Sequence, residues 1–319
     1  MANELKRSKR IIIGGEELER DINPKNLMLL EKYIRDMEMR ELSTKSIYSY
    51  KCDIIAWLKY LVKEQFNPIV SDLSEEDIEE FIYFCKKQGN NTERIKRRTS
   101  SISAFYKFLR RKKIIKENPM EFIARPKKGL PVVVQTFLTK EQYQLMKEKL
   151  TSQNDLQLQV YGMFSISTMA RVTAISNTTW EQIDFENRTV DDVLEKEGKI
   201  VTLYFSEEVK QLLLKLKQQR EEDGIDCKYV FITKYNNEYS NADPSTLNNW
   251  AKKIGNMIGV PTLHCHDFRH TGSQLLSLSG MAIETISSLL NHSGLDVTKN
   301  HYLKEDKRKM QSEKDKYSI

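Results

Sequence analysis

Between Glu117 and Phe137 the chain reads ENPMEFIARPKKGLPVVVQTF, with three prolines, one glycine and an extended run of valines. Proline lacks a backbone donor and disfavours helix in the residue before it, so no helix runs through this stretch. Helical periodicity is strong on both sides. The break therefore predicts two units, each with its own core, and a chain of 319 residues is long enough to supply both. Residues 125–136 are read as the linker.

On the N-terminal side, residues 1–23 are charged and aperiodic, and are expected to form a flexible arm. Helical signals begin with Asn23 as a cap and Pro24 at the first helical position. In STKSIYSYKCDIIAWLKYLV, the residues Ile47, Tyr50, Ile54, Trp57, Leu58 and Leu61 recur at three- and four-residue spacing. Ser74 and Asp77 form a capping-box pattern ahead of Ile78, Phe81, Ile82 and Cys85. A fourth helix turns Ile95, Ile102, Phe105, Tyr106 and Leu109 inward. Four such helices with short connections predict a compact helical bundle over 24–124.

Beyond the linker, Thr139 and Gln142 repeat the capping-box pattern and open a second unit, residues 137–304. Past about Ile175 the pattern switches. WEQIDFENRTV, DDVLEK and KIVTLYF are β-branched runs between polar turns, and predict a three-stranded antiparallel sheet. EEDGIDCKYVFI reads as a helix end entering a buried, strand-like piece, and LQLQVYGMF as core. Helical periodicity returns from Ser206, over Ser245–Ile258, and through GSQLLSLSG and IETISSLL. The fold class is mostly α with a small antiparallel sheet. The tail, 305–319, is highly charged; Met310 and Ile319 are its candidate anchors on a neighbouring protomer.

The formal net charge is +6 and charged residues make up 30% of the chain, a balance compatible with a polyanionic partner. ERIKRR and LRRKK bracket the apolar, aromatic stretch ISAFYKF. For that stretch core packing is the better reading than base stacking. Arg94, Lys96, Arg97 and Arg98 are the candidates for phosphate contact, with Lys127, Lys128 and Lys140 behind them. Four scattered cysteines with no CxxC pair fit neither a disulfide framework nor a zinc finger. No apolar run approaches a membrane span, and a cytoplasmic, nucleoid-associated protein is expected.

All five histidines fall between His264 and His301. A metal site is a poor explanation, because His264 precedes the predicted helix and no acid stands as in HExxH. Order along the chain is more informative than any one motif. STMAR ends at Arg171, and a lysine-bearing turn, EKEGK, separates the second and third strands. HDFRH, LLNHSG and NHY then follow. In this order the chain resembles the tyrosine recombinase (phage integrase) family. Arg171 stands at the arginine of TGxR, His266 and Arg269 match HxxR, His292 lies in a box like LLGHSS, and Tyr302 takes the nucleophile position. Counting back from SEE at Ser206 places Lys196 at the strand-turn lysine, with Lys199 second. The resemblance covers residues 24–304 and extends to the N-terminal bundle, which looks like the family's SAM-like core-binding domain.

The chemistry agrees with that resemblance. Cutting a DNA phosphodiester needs a nucleophile, charge stabilisation on the non-bridging oxygens and a proton for the leaving 5′ oxygen. Guanidinium groups are planar, always charged and able to hold two oxygens, which suits Arg171 and Arg269. Lys196 would donate the proton, His266 would handle the tyrosine proton and His292 would hydrogen-bond the phosphate. Tyr302, with a free pKa of about 10, needs such help.

The resemblance implies a 3′-phosphotyrosyl intermediate without metal or ATP, double-stranded DNA sites gripped by both domains, and a homotetramer in the synaptic complex. Off DNA it implies a monomer or dimer, and an accessory directionality protein is a further expected partner. Integration, excision or resolution of a mobile element is the expected role. A Xer-like dimer resolvase, a type IB topoisomerase or a non-catalytic DNA-binding relative are the alternatives. Three positions depart from the family pattern: Met169 replaces the TGxR glycine, Ala174 the acid three residues past the arginine, and Asn291 the box glycine.

Overall fold

The computed structural model describes Ile13, residues 15–125, 137–195 and 198–291, and Lys314. The chain divides into two compact units, Met1–Val134 and Gln135–Ile319.

The first unit is all helical: α1 (Glu16–Arg20), α2 (Pro24–Met39), α3 (Thr44–Glu64), α4 (Glu75–Lys87) and α5 (Thr92–Arg111). Local chemistry sets the starts. The Asn23 side chain accepts from Lys25 N–H ahead of Pro24, and Ser74 and Asp77 form a complete capping box. Met37, Ile54, Trp57, Phe81, Phe105 and Tyr106 are fully buried between the helices. Ring contacts join them, Tyr33 to Phe105 at 5.3 Å and Trp57 to Tyr106 at 5.8 Å. The Tyr106 hydroxyl donates to the Val70 carbonyl at 2.8 Å, so even this buried polar tip is satisfied.

The flexible arm expected over 1–23 is corrected for its second half. Residues 16–20 are helical, Ile22 is buried and Glu19 pairs with Lys59 at 2.8 Å. Asn67 supplies the missing caps, accepting from Asn23 N–H at 3.0 Å and donating to the Asp21 carbonyl at 2.7 Å. A single charged turn carries no periodicity of its own, and distant partners hold it.

The second unit opens with α6 (Lys140–Ser152), whose Thr139–Gln142 capping box is present, then α7 (Leu156–Thr168) and α8 (Val172–Asn177). The strands β1 (Ile183–Asp184), β2 (Thr189–Leu194) and β3 (Ile200–Tyr204) form an antiparallel sheet in that order. Its segmentation differs from the sequence reading. The Asp184 carboxylate accepts from the backbone of Glu186 and Asn187, which turns the chain early. Thr189 and Val190 thereby join DDVL in one strand.

After α9 (Glu207–Glu222) comes a second hairpin, β4 (Ile232–Tyr235) and β5 (Glu238–Asn241). Its turn residues Asn236 and Asn237 both have positive φ, the geometry of a tight two-residue hairpin turn. Then follow α10 (Pro244–Met257), α11 (Cys265–Leu278) and α12 (Ile283–Leu289).

Helix α7 is the buried axis of this unit, as its LQLQVYGMF sequence implied. Val160, Tyr161 and Phe164 are fully enclosed together with Phe231 and Phe268. Helix α11 lies against α7 so closely that a Cβ on Gly272 would stand 2.3 Å from the Ile166 carbonyl oxygen. That contact sets where the HxxR helix sits.

All four cysteines are free. Among the described residues no helix is long and apolar enough to cross a membrane.

Candidate active site

The site is assembled at the C-terminal end of α7. The helix stops because Met169 adopts the left-handed conformation (φ 52°, ψ 25°), and Arg171 then caps α8. Met169 is buried against Ile286 and Leu290. The family's glycine at this position therefore has a backbone reason, and here a methionine bears the strain while filling a small apolar cluster. Asn291, which replaces the box glycine, also has positive φ (51°), a conformation asparagine tolerates.

Arg171 donates through Nη1 to Oε2 of Glu195. The Glu195 side chain is 1% exposed, whereas that of Arg171 is 34% exposed. Glu195 closes the β2–β3 turn, its N–H donating to the Lys199 carbonyl at 2.8 Å. Ala174, at the position of the family's acid, is fully buried.

Helix α11 starts at a capping box in which Asp267 accepts from His264 N–H at 3.0 Å. Burial raises the Asp267 carboxyl above its ordinary value, against the effect of that bond. The hydroxyl of Thr271 accepts from Leu138 N–H at 2.9 Å and donates to the Asp267 carbonyl at 2.7 Å, tying α11 to the entry of the unit.

Arg269 is 1% exposed. Its Nη1 donates to the Met169 carbonyl at 2.5 Å and its Nη2 to the Leu290 carbonyl. One guanidinium thus joins the turn before Arg171 to the end of α12, at the residue before Asn291.

The His266 ring stands edge-on to His270 at 4.6 Å. His266 is exposed at its surface, and partial desolvation of its ring is the largest influence on it. The charges of Arg269, His264 and Arg171 act in the same direction, and its pKa is pushed down to about 4. The imidazole is accordingly neutral near pH 7 and able to accept a proton.

Arg171, His266 and Arg269 are therefore brought into one site. Lys199 is exposed at the β2–β3 turn. Lys196, His292 and Tyr302 lie outside the described residues, as do Lys127 and Lys128. Glu195 was missed by sequence reasoning, although it stands beside Lys196 in EKEGK. A missing acid at 174 and an unexplained acid at a strand end were the two halves of that clue.

The basic residues of α5 divide. Asp53, buried on α3, receives Arg94 at 2.7 Å, Arg97 at 3.4 Å and the Ser101 hydroxyl at 2.9 Å. Lys96 pairs with Glu93 at 3.1 Å, and Lys140 is exposed at the start of α6.

Arg98 is a correction. It is 4% exposed and lies over the Phe81 ring, so it is not a surface phosphate contact. Positions 95, 98 and 102 share a helical face, and the two isoleucines carry Arg98 into the core.

A helical bundle preceding a helical domain with a three-stranded sheet, and a paired-arginine site at the end of a buried helix, define the tyrosine recombinase class of fold. The chain belongs to the phage integrase family. That family's model matches residues 136–309, and the model of its N-terminal SAM-like domain matches residues 30–113.

Among curated relatives, the tyrosine recombinase XerC of Leptospira interrogans is 26% identical over 285 residues, covering 88% of this chain and 89% of its own. A tyrosine recombinase of Pseudothermotoga lettingae is 27% identical over 274 residues, covering 82% and 88%. Among solved structures, the XerH site-specific recombinase bound to palindromic difH superposes with a TM-score of 0.70 at 16% identity, over 91% of this chain and 84% of that one. The Tn1549 transposon integrase, in complex with circular intermediate DNA, does so with a TM-score of 0.69 at 16% identity, over 89% and 98%.

Proposed function

We propose that this protein is a site-specific DNA recombinase that cuts and rejoins duplex DNA through a 3′-phosphotyrosyl intermediate. The observation that carries the reading is the convergence of Arg171, Arg269 and His266 at the end of α7 in a chain of this family. Arg171 presents the more accessible guanidinium to a phosphate. Arg269 lies behind it with its charge fixed in place, and each of its terminal nitrogens carries two N–H groups. Charge that is positioned before the reaction stabilises the transition state without reorganisation.

His266 takes the proton of Tyr302 as that hydroxyl attacks phosphorus. Lys196 protonates the departing 5′ oxygen, with Lys199 the second candidate, and His292 hydrogen-bonds the phosphate. The link is resolved by a 5′-hydroxyl from a partner strand, which conserves the bond energy. Arg94, Lys96, Arg97 and Lys140, with the linker lysines Lys127 and Lys128, hold the DNA backbone.

The working assembly is a homotetramer on two sites, with an accessory protein setting direction, and the protein acts at the nucleoid. Mobile-element integration or excision is the leading role. The XerC relatives favour a second reading, resolution of chromosome or plasmid dimers.

The test is a covalent adduct. Supercoiled plasmid carrying DNA from either side of the protein's own gene, and nicked suicide duplexes made from it, are incubated in EDTA and quenched with SDS. Wild type is expected to leave protein on a 3′ end, and Tyr302→Phe to bind without leaving any. Tight binding with no adduct on the nicked duplexes would replace the enzyme by a non-catalytic DNA-binding protein. The mapped site separates the two roles, because dimer resolution needs one site carried by the replicon itself.

A further inference from the structure

We propose that Glu195 is a positioning residue for Arg171, and that it couples the arginine to the hairpin that carries Lys196. The catalytic part of this inference rests on the function proposed above; the structural part does not. Glu195 sits at the end of β2 with its side chain 1% exposed, and its Oε2 accepts from Arg171 Nη1. Its Oε1 is buried with no hydrogen-bond partner among the described residues. A carboxylate taken out of water in this way has to be compensated by a cation, and Arg171 is the cation it meets.

From the arginine's side, α8 offers no acid. Ala174, one helical turn past Arg171, is buried and apolar. A guanidinium on a long side chain samples many rotamers unless something fixes it, and ordering it in advance lowers the entropic cost of reaching the transition state. Glu195 holds Nη1, on a side chain that remains 34% exposed.

The same residue closes the β2–β3 turn through its own backbone, N–H to the Lys199 carbonyl at 2.8 Å. Side chain and backbone of one residue therefore link the arginine to the turn that carries the proposed proton donor. A hairpin displaced from the site would take the arginine's partner with it. In this chain the acid has moved from the helix after the arginine to the strand end before the lysine.

Two measurements test this. The first needs no DNA: hydrogen exchange followed in peptides spanning 189–204 of the full-length protein. Arg171→Lys is expected to speed exchange at the β2–β3 turn, and unchanged exchange there would overturn the linkage.

The second is single-turnover adduct formation on the mapped site by wild type, Glu195→Gln, Glu195→Asp, Arg171→Lys and the Arg171→Lys/Glu195→Gln pair. Glu195→Gln is expected to slow cleavage by roughly tenfold to a hundredfold with site affinity unchanged, and Glu195→Asp to recover part of the rate. The double variant should be no slower than Arg171→Lys alone, since a residue acting only through another adds nothing once that other is changed.

A Glu195→Gln enzyme cleaving at the wild-type rate overturns the positioning role. So does a loss that multiplies independently with Arg171→Lys. If Glu195→Gln does not fold, Glu195→Asp paired with Arg171→Lys carries the same cycle. Wild type leaving no adduct refutes the proposed enzyme itself, and the positioning role with it.

Discussion

Replacing Gly272 by alanine sets two magnitudes against each other. Gly272 lies inside α11, where alanine would ordinarily stabilise the helix by about 1 kcal/mol. The added Cβ, however, would stand 2.3 Å from the Ile166 carbonyl oxygen and 2.6 Å from Cγ of Met169. The first obstacle is backbone, so no rotamer change removes it, and α7 and α11 must move apart. Overpacking of this kind costs about 1–3 kcal/mol, and the backbone obstacle puts this case at or above the upper end. After the helix-propensity gain the net loss is about 2 kcal/mol, or a fall in Tm of about 4–8 °C for a unit of this size.

The displacement also reaches the site. Met169 is pushed directly, and its carbonyl is the acceptor for Arg269 Nη1. Adduct formation by Gly272→Ala at a temperature where the protein is fully folded should fall further than the small unfolded fraction accounts for. Thermal unfolding followed by circular dichroism, with single-turnover cleavage alongside, checks both parts. A Tm equal to or above that of wild type would refute the reasoning, because helix propensity would then have outweighed the clash.

Met169→Gly removes left-handed strain worth about 1–2 kcal/mol. It also empties the methionine's place against Ile286 and Leu290, a change that costs about 2–5 kcal/mol, so calorimetry should show net destabilisation. Asp53→Ala takes the shared acceptor from the buried Ser101 hydroxyl and from the partly exposed Arg94 and Arg97, and should destabilise the N-terminal unit by about 1–3 kcal/mol, read from its urea midpoint.

The His266 ring should titrate by NMR near pH 4, and a midpoint at the ordinary histidine value of about 6.5 would sink the neutral-base assignment. The folded pKa lies below the unfolded one, so between about pH 6.5 and 4 the unfolded chain binds more protons. The His266 contribution therefore lowers stability as pH falls through that window. In His266→Gln the corresponding part of the pH dependence should vanish.

Sequence resolved best what is locally encoded. Asn23 before Pro24, Ser74 with Asp77, and Thr139 with Gln142 specify helix starts through bonds spanning two or three residues, and each is present. The inward faces of α3, α4 and α5 followed from their spacing. The order of Arg171, His266 and Arg269 along the chain was legible through its resemblance to the family's TGxR and HxxR motifs.

What escaped was determined through space. The α1 turn exists because Asn67 and Lys59 reach it, and no short-range pattern records that. Of the β4–β5 hairpin the strand-like reading of KYVFI reached only Ile232, and the Asn236–Asn237 turn and β5 lay beyond it. Arg98 was read by its charge when its place between Ile95 and Ile102 decided its fate. Glu195 required two facts from separate elements, an acid lost from α8 and an acid buried at the end of β2.

The acceptors that Arg269 holds have a consequence for how such a site drifts over generations. Both are main-chain carbonyls, of Met169 and Leu290, and every amino acid supplies that oxygen whatever its side chain. Only the donor is written in the genetic text; its two partners are written in the polymer. Mutation can therefore rewrite both loops, as methionine and asparagine at glycine positions show, without erasing the bonds that hold them.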